Sequence, residues 1–219
     1  SQIAQVDPYR QAVGRLAELV GEVRAAGARD LRYLDVGGGL AVSYGDDPAG
    51  DVREFAAALL PAARTTGLEL IVEPGRFLVG NAGVLMTRVV DRKHSGGKEY
   101  VVTDAGMNDL LRPSHYNAFH RIEAVAAAGG RFVADIVGPV CESGDFLALD
   151  RDVEQVTPGD LLVVHSAGAY GFVMASNYNS RPRTAEVLVD GDRYAVGRAR
   201  EDYEDLVRRE SAAPIWRTV

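Results

Sequence analysis

Two short apolar runs, residues 31–36 and 68–72, each stop at a turn that neither a helix nor a strand continues through. The first carries Tyr33-Leu34-Asp35-Val36 into Gly37-Gly38-Gly39. The second carries Ile71-Val72 into Glu73-Pro74-Gly75-Arg76-Phe77-Leu78. A segment of helical periodicity precedes each run. In the first helix Asp7 reads as the N-cap and Pro8 as the first helical residue. Val13, Leu16, Leu19, Val20 and Val23 recur three and four residues apart on one face, and Gly27 ends it. Residues 51–66 read as the second helix, with Val52, Phe55, Leu59 and Leu60 as the apolar face, a kink at Pro61 and a stop at Gly67. Residues 40–51, with Gly45, Pro48 and Gly50, read as a loop. Helix, strand, helix, strand is the alternation of a parallel sheet or barrel. Neighbouring strands of such a fold present their C-terminal turns on one face, where sites form.

Past residue 83 the period changes. Strand-like runs follow at residues 84–90, 99–103, 131–137, 145–149, 161–165, 184–189 and 193–196. Lys93-His94-Ser95-Gly96-Gly97-Lys98 reads as a hairpin turn, and Thr157-Pro158-Gly159-Asp160 and Asp190-Gly191-Asp192 as further turns. Residues 202–210 read as a short terminal helix. The expected organisation is an α/β part over residues 1–83 and an antiparallel β domain over 84–219.

A chain of 219 residues supports one large domain or two small ones. Its net charge of -7 argues against a nucleic-acid partner, because phosphate contacts need a basic surface. Cys141 is the only cysteine, so no internal disulfide forms, and a reducing, cytoplasmic setting is expected. No run approaches the roughly 18 apolar residues of a membrane span. The chain opens Ser1-Gln2-Ile3 without Met, which leaves a targeting segment open.

The glycine triplet lets backbone N–H groups approach an anion closely, although a plain tight turn has the same composition. It is not a dinucleotide fingerprint, because Val42 stands where that pattern needs glycine, and no Gly-Lys-Ser/Thr follows to make a nucleotide-phosphate loop. Glu73 ends an apolar run, so it either pairs with Arg76 to shape the turn or sits at a cleft. Beneath a pyridinium nitrogen it would keep that nitrogen protonated and leave Arg76 for a substrate carboxylate. His115 and His120 have no Cys or Asp/Glu at metal-ligand spacing and read as structural, His94 falls in a turn and His165 ends a strand, so no metal site is expected.

Glu73-Pro74-Gly75-Arg76 is similar to the Glu-Pro-Gly-Arg motif of the fold-type III pyridoxal-phosphate decarboxylases, and Gly37-Gly38-Gly39 to their glycine turn. Residues 104–116, ending Arg112-Pro113-Ser114-His115-Tyr116, resemble the segment with which the diaminopimelate decarboxylases of this family bind a substrate carboxylate. Gly138-Pro139-Val140-Cys141-Glu142-Ser143-Gly144-Asp145 resembles their catalytic cysteine segment. Gly168-Ala169-Tyr170-Gly171 and residues 176–183 resemble their C-terminal signature. The motifs follow the family's order and span nearly the whole chain. The resemblance implies the last βα units of an alanine-racemase-like (β/α)8 barrel followed by a C-terminal antiparallel β domain. It implies pyridoxal 5'-phosphate as cofactor, with its phosphate held at Gly38, Pro74, Gly75, Arg76 and Tyr170, and its ring nitrogen at Glu73. Arg76, Arg112, Tyr116 and Tyr170 would bind substrate, Cys141 would donate a proton, and Glu142 would recognise a distal amino group. It further implies a homodimer in which Cys141 and Glu142 reach the other subunit's site. The implied reaction is decarboxylation of meso-2,6-diaminopimelate to L-lysine and CO2, a lysine-biosynthetic step. Ornithine or arginine decarboxylation on the same fold is the near alternative.

A thiol suits the proton-donor role while it stays protonated, and a neighbouring carboxylate favours that form. A lone cysteine is more often a buried, inert hydrophobe. Tyr178 and Asn179 read as packing residues. Pyridoxal chemistry needs a lysine for covalent attachment of the cofactor. Here only Lys93 and Lys98 occur, both beside Gly96-Gly97 in an expected exposed hairpin. The family places its lysine in the first half of the barrel, so the chain reads as a C-terminal half, arising by truncation, by proteolysis or as one piece of a two-chain assembly. A binding or dimerisation module without catalysis is the alternative that this gap favours.

Overall fold

The computed structural model describes residues 2–45, 49–126 and 129–217. Residues 46–48 of the expected 40–51 loop lie outside them. The described residues fall into two units. One holds the residues up to Met86 with Phe119–Glu123 and Val163–Tyr170; the other holds Thr87–Ala118, Ala124–Leu162 and the residues from Gly171 on.

In the first unit α1 (Asp7–Ala25) begins one residue earlier than the sequence suggests. Val6 is the N-cap and its side chain makes no capping bond. Asp7 lies in the first turn, where a negative charge suits the helix dipole, and pairs with Arg10. Tyr9, Val13 and Val20 are buried, while Leu19, expected on the same face, is exposed. Leu16 and Val23 are half-buried, so the face is as expected apart from Leu19 and extends back to Tyr9. β1 (Tyr33–Asp35) follows, then α2 (Val52–Thr65), whose N-cap Asp51 accepts the Arg53 N–H at 2.7 Å. Val52 is exposed, because the first turn lies beyond the core that Phe55, Ala58, Leu59 and Ala63 fill. α2 continues through Pro61. β2 (Glu69–Ile71) pairs with β1 in parallel, with Leu34 opposite Leu70. Both strands are three residues long, shorter than their apolar runs.

The core of this unit gathers Tyr9, Val13, Val20, Leu34, Leu40, Phe55, Leu59 and Ala63 between the two helices and the strand pair. Tyr9 meets Phe55 edge to face, with ring centroids 4.5 Å apart. That geometry adds about 0.5–1.5 kcal/mol beyond the area buried. Tyr33 and Ile71 are exposed on the strand pair, and Val72 is exposed just after it.

The two strand-end turns lock together through the backbone. The Glu73 N–H donates to the Gly37 carbonyl at 2.8 Å. A Cβ at Gly38 would lie 2.0 Å from the Glu73 carbonyl oxygen, so no side chain fits there. α3 (Gly75–Val79) starts directly after Pro74, and a 3-10 turn (Gly80–Ala82) extends it.

The second unit is built on β3 (Leu85–Ser95) and β4 (Lys98–Thr103), an antiparallel hairpin. Gly96 and Gly97 form its two-residue turn with φ of 59° and 78°. Positive φ at both positions matches the right-handed twist of a hairpin and selects glycine. The strands therefore run through Lys93 and His94, which the sequence reading placed in the turn. Next along the chain come α4 (Arg112–Tyr116), β5 (Ile122–Ala124, its first two residues counted with the first unit), β6 (Arg131–Val137), β7 (Phe146–Glu154) and β8 (Leu161–Val164, its last two residues counted with the first unit). The sheet order is β5-β8-β3-β4-β6-β7. Pairings β3/β4 and β6/β7 are antiparallel, while β4/β6 is parallel, because α4 and β5 intervene between them in sequence. β9 (Glu186–Asp190) and β10 (Arg193–Arg198) form a separate antiparallel hairpin. α5 (Tyr203–Val207) follows, with a capping box between Asp202 and Asp205. Among the described residues no helix is long and apolar enough to cross a membrane.

Lys98 is fixed by structure. Its Nζ lies 3.1 Å from Asp135 Oδ2 and 2.9 Å from Asp150 Oδ1. Asp135 is buried and also accepts the Asp150 N–H at 2.6 Å, where Asp150 takes a φ of 46°. The β6/β7 register shifts at this point, so the ion pair fills an irregularity in the ladder.

The interlock of the strand-end turns predicts opposite outcomes at two glycines. Gly38→Ala in the full-length protein should cost about 1–3 kcal/mol, because the obstructing atoms are backbone. Gly21→Ala, where an added Cβ meets nothing within 4 Å in the middle of α1, should stabilise by about 0.5–1 kcal/mol. Urea midpoints of the two variants check both signs.

Candidate active site

The expected site residues divide between the units: Gly38, Glu73, Pro74, Gly75, Arg76 and Tyr170 in the first, Arg112, Tyr116, Cys141 and Glu142 in the second.

In the first unit, β1 and β2 deliver the glycine turn and the Glu73 turn side by side. Glu73 is exposed, and among the described residues no hydrogen bond or ion pair engages its carboxylate. The alternative of a Glu73–Arg76 pair shaping the turn does not hold. Arg76 instead turns its guanidinium toward the Tyr170 ring, 5.1 Å from the centroid, and toward Tyr44 at 6.0 Å. These are cation–π distances.

Tyr170 reaches this place through a second glycine contact. The Ala167 N–H donates to the Gly83 carbonyl at 2.8 Å, and the Gly168 N–H to the Gly80 carbonyl at 3.1 Å. A Cβ at Gly168 would lie 1.9 Å from the Val79 carbonyl oxygen. The chain then turns at Tyr170, which adopts a φ of 61°, uncommon for a residue with a side chain. Sequence reasoning missed Tyr44, which sits in an irregular segment with no periodicity to mark it. Tyr44 also stacks edge-on against the buried His120, at 5.2 Å between ring centroids. His120 Nδ1 lies 2.8 Å from the His165 carbonyl, and His165 Nε2 lies 2.8 Å from Glu123. Both histidines thus have structural partners. Among the described residues no group of three His, Cys, Asp or Glu could hold a metal ion.

In the second unit, Arg112 and Tyr116 stand at the two ends of α4, and Asn117 ends that helix with a φ of 49°. Arg112 is buried and so is not a solvated surface charge, while Tyr116 is exposed. Cys141 and Glu142 lie on the loop joining β6 to β7, and both are exposed. Exposure excludes the buried, inert cysteine. Tyr178, read from sequence as packing, places its hydroxyl 3.3 Å from Glu142 Oε2, and the Gly144 N–H lies 3.3 Å from Oε1.

Asp145 turns inward beneath this loop and is buried. Its carboxylate accepts the Val140 N–H at 2.5 Å and the Met107 N–H at 2.6 Å. Hydrogen bonds to a charged acceptor contribute about 1.5–3 kcal/mol each. The turn at residues 106–110 is further tied by Arg181, whose Nε donates to Asn108 Oδ1 at 3.2 Å and whose NH2 donates to the Asp104 carbonyl at 2.6 Å. Burial pushes the Asp109 carboxyl above its usual range, against the lowering effect of the Gly106 N–H. Glu201 anchors residues 177–183: it accepts the Arg183 N–H and both Nε and NH2 of that side chain, together with the Asn177 amide. Those bonds, Arg183 first, hold its carboxyl down to about 2.

With this geometry in view, comparison with known proteins gives one family. Residues 11–168 match the model described as pyridoxal-dependent decarboxylase, C-terminal sheet domain, and the chain belongs to that family. It is 47% identical over 209 residues to the diaminopimelate decarboxylase of Aquifex aeolicus, covering 94% of this chain and 50% of that protein. It is 47% identical over 217 residues to the diaminopimelate decarboxylase of Pseudomonas aeruginosa, covering 98% and 51%. The crystal structure of diaminopimelate decarboxylase from Helicobacter pylori complexed with L-lysine superposes with a TM-score of 0.89 at 40% identity, covering 95% of this chain and 52% of that one. The chain thus spans about half the length of the relatives it matches.

The Glu201 anchor carries a pH dependence. Its folded carboxyl is depressed from 4.5 to about 2, so its contribution to stability is fully present above about 4.5 and is lost as pH falls toward 2. The melting temperature of wild type should exceed that of Glu201→Gln by a constant margin above about pH 5, and the margin should shrink steadily below it.

Proposed function

We propose that the protein to which this chain contributes is a pyridoxal 5'-phosphate-dependent carboxy-lyase that converts meso-2,6-diaminopimelate to L-lysine and CO2. One observation carries the reading: Cys141 and Glu142 stand exposed side by side on a loop closed by Asp145, with Tyr178 against Glu142. That pair offers a proton donor and an anion together, as a diamino acid with a distal ammonium group requires. The 47% identity to diaminopimelate decarboxylases supports it, and the Helicobacter pylori relative was crystallised with L-lysine, the product proposed here.

The residues present fit the cofactor. Glu73 is an exposed carboxylate with no partner among the described residues, suited to a protonated ring nitrogen. Gly38 keeps the two turns in backbone contact, which brings the main chain of both to one place. Bound there, the cofactor would supply a protonated pyridine ring that accepts the electron pair left by loss of CO2. Glu73 would hold the proton on the ring nitrogen. The main chain at Gly38, Pro74, Gly75 and Arg76, with the Tyr170 hydroxyl, would take the phosphate. Arg76, Arg112, Tyr116 and Tyr170 would orient the substrate, the two arginines as planar forks for carboxylate. Cys141 would hold a proton at Sγ for the carbon that has lost its carboxylate, and Glu142 would bind the distal ammonium.

Neither lysine of these residues fits covalent attachment. Lys93 is exposed, and the bonds from Asp150 and Asp135 push Lys98 above its ordinary value, so it stays protonated. We place the attaching lysine elsewhere in the assembled enzyme. The same reading takes residues 1–83 as the closing βα units of a (β/α)8 barrel and 84–219 as the β domain. It takes the enzyme as a cytoplasmic homodimer in which Cys141 and Glu142 serve the neighbouring subunit's site.

Release of CO2 from meso-diaminopimelate by the full-length, cofactor-loaded protein tests the activity. Faster turnover of ornithine or arginine would overturn the substrate assignment. Cys141→Ala should lower kcat by roughly 100-fold or more, the scale of a lost general acid, while cofactor absorbance is retained. Unchanged turnover would remove Cys141 from the mechanism.

Borohydride reduction followed by peptide mapping tests the lysine. No reduced cofactor adduct should be found on Lys93 or Lys98, and an adduct on either would refute the placement.

A further inference from the structure

We infer that Asp145 is the positioning residue that sets Cys141 against the carboxylate-binding helix α4. The inference rests on the decarboxylase reading above and concerns how its proton donor and its carboxylate grip are held. Among the described residues the Asp145 carboxylate bonds to backbone, at two points that matter for chemistry. Val140, whose N–H it accepts at 2.5 Å, immediately precedes Cys141. Met107, whose N–H it accepts at 2.6 Å, lies in the turn that leads into α4 and so to Arg112 and Tyr116. One buried carboxylate thus ties the loop of the proposed acid, which serves the neighbouring subunit's site, to the proposed carboxylate grip of this subunit's own site.

The surroundings are shaped for that carboxylate. A Cβ at Gly106 would lie 2.4 Å from Asp145 Oδ1, and one at Gly138 would lie 2.5 Å from both oxygens and 2.5 Å from the Gly106 Cα. The loop also closes on itself: the Gly138 N–H donates to the Asp145 carbonyl at 3.1 Å, and the Asp145 N–H to the Glu142 carbonyl at 3.0 Å. A Cβ at Gly144 would lie 2.8 Å from Ser114 Oγ, so the far side of the loop meets α4 directly. A residue that only stabilised the fold could bond anywhere in these segments. Asp145 bonds next to Cys141 and ahead of α4.

An amide in place of the carboxylate separates the two contacts. Asp145→Asn would keep one acceptor oxygen, but the new NH2 group would face the second backbone N–H, so one of the two ties is lost at constant size. A displacement of about 1 Å at a reacting group costs on the order of 100-fold in rate. In the full-length, cofactor-loaded protein, Asp145→Asn should therefore lower kcat by roughly 10- to 100-fold with KM changed far less. The rate of Cys141 alkylation by iodoacetamide, located by peptide mass spectrometry, should change at least about threefold, and cofactor absorbance should be retained. Gly106→Ala, which displaces the carboxylate without removing it, should reproduce that signature. Asp145→Asn with wild-type kcat and wild-type alkylation would overturn the inference, as would both variants failing to fold, which would leave Asp145 a fold-holding residue only. Cys141→Ala run alongside separates the two levels. If it slows turnover while Asp145→Asn does not, positioning fails alone. If it does not slow turnover, the proton-donor reading fails first.

Discussion

Backbone meeting backbone with no room for a side chain is the constraint on which the first unit depends. The Glu73 carbonyl sits where a Cβ on Gly38 would have to be, and the Val79 carbonyl where one on Gly168 would be. The first contact binds the ends of β1 and β2; the second brings Tyr170 over Arg76. Neither could be relieved by a rotamer change, since the obstructing atoms are peptide. A three-residue strand pair is weak on its own. The two turns add the Glu73–Gly37 hydrogen bond to it, and the core beneath adds the Tyr9–Phe55 contact. Glu73, just past a three-residue strand, and Arg76, in a five-residue helix, are thereby held on short elements.

The second unit answers the same need with carboxylates. Asp135, Asp145 and Glu201 each accept a backbone N–H and at least one further donor. Each marks a place where the regular ladder stops: the register shift of β6 on β7, the Cys141 loop, and the 177–183 segment. A carboxylate is suited to this because two oxygens accept from two directions, so one side chain replaces two lost ladder bonds. Glu73, Asp104 and Glu142 contrast with them in lying nearer the surface, and of the three only the Glu73 carboxylate makes no hydrogen bond or ion pair among the described residues.

Much of this was legible in the sequence, and the reasons differ by element. α1 and α2 are long enough for period 3.6 to average over several turns, so their existence was plain, although Leu19 and Val52 were placed on the wrong side. A stripe read from apolar residues alone does not count Tyr9, whose ring carries the start of the core. The Gly96-Gly97 turn was legible as chemistry but not in extent, because two glycines at positive φ need no flanking loop. α3 and α4 were not anticipated as helices, since five residues carry too little periodicity to show. The parallel pairing of β4 with β6 was likewise hidden. Strand composition does not encode partner or direction, and the intervening segment has no long helix to announce a crossover.

The candidate site was legible through motif order and only partly through physics. A Gly-Gly-Gly turn and a Glu-Pro-Gly-Arg turn one βα unit apart imply adjacency on a parallel sheet, and the Glu73–Gly37 bond realises it. Lys98 illustrates what spacing cannot reveal. By composition it sits in an exposed turn, yet it closes on Asp135 and Asp150, residues 37 and 52 positions away. The same holds for Asp145, whose neighbours in sequence advertise an acidic, exposed loop while its carboxylate points the other way. Whether an acid serves chemistry or architecture is decided by which N–H groups the fold turns toward it. For Asp145 those two N–H groups belong to the residue before Cys141 and to the turn before Arg112, so its architectural bonds fall beside the residues proposed to carry the chemistry.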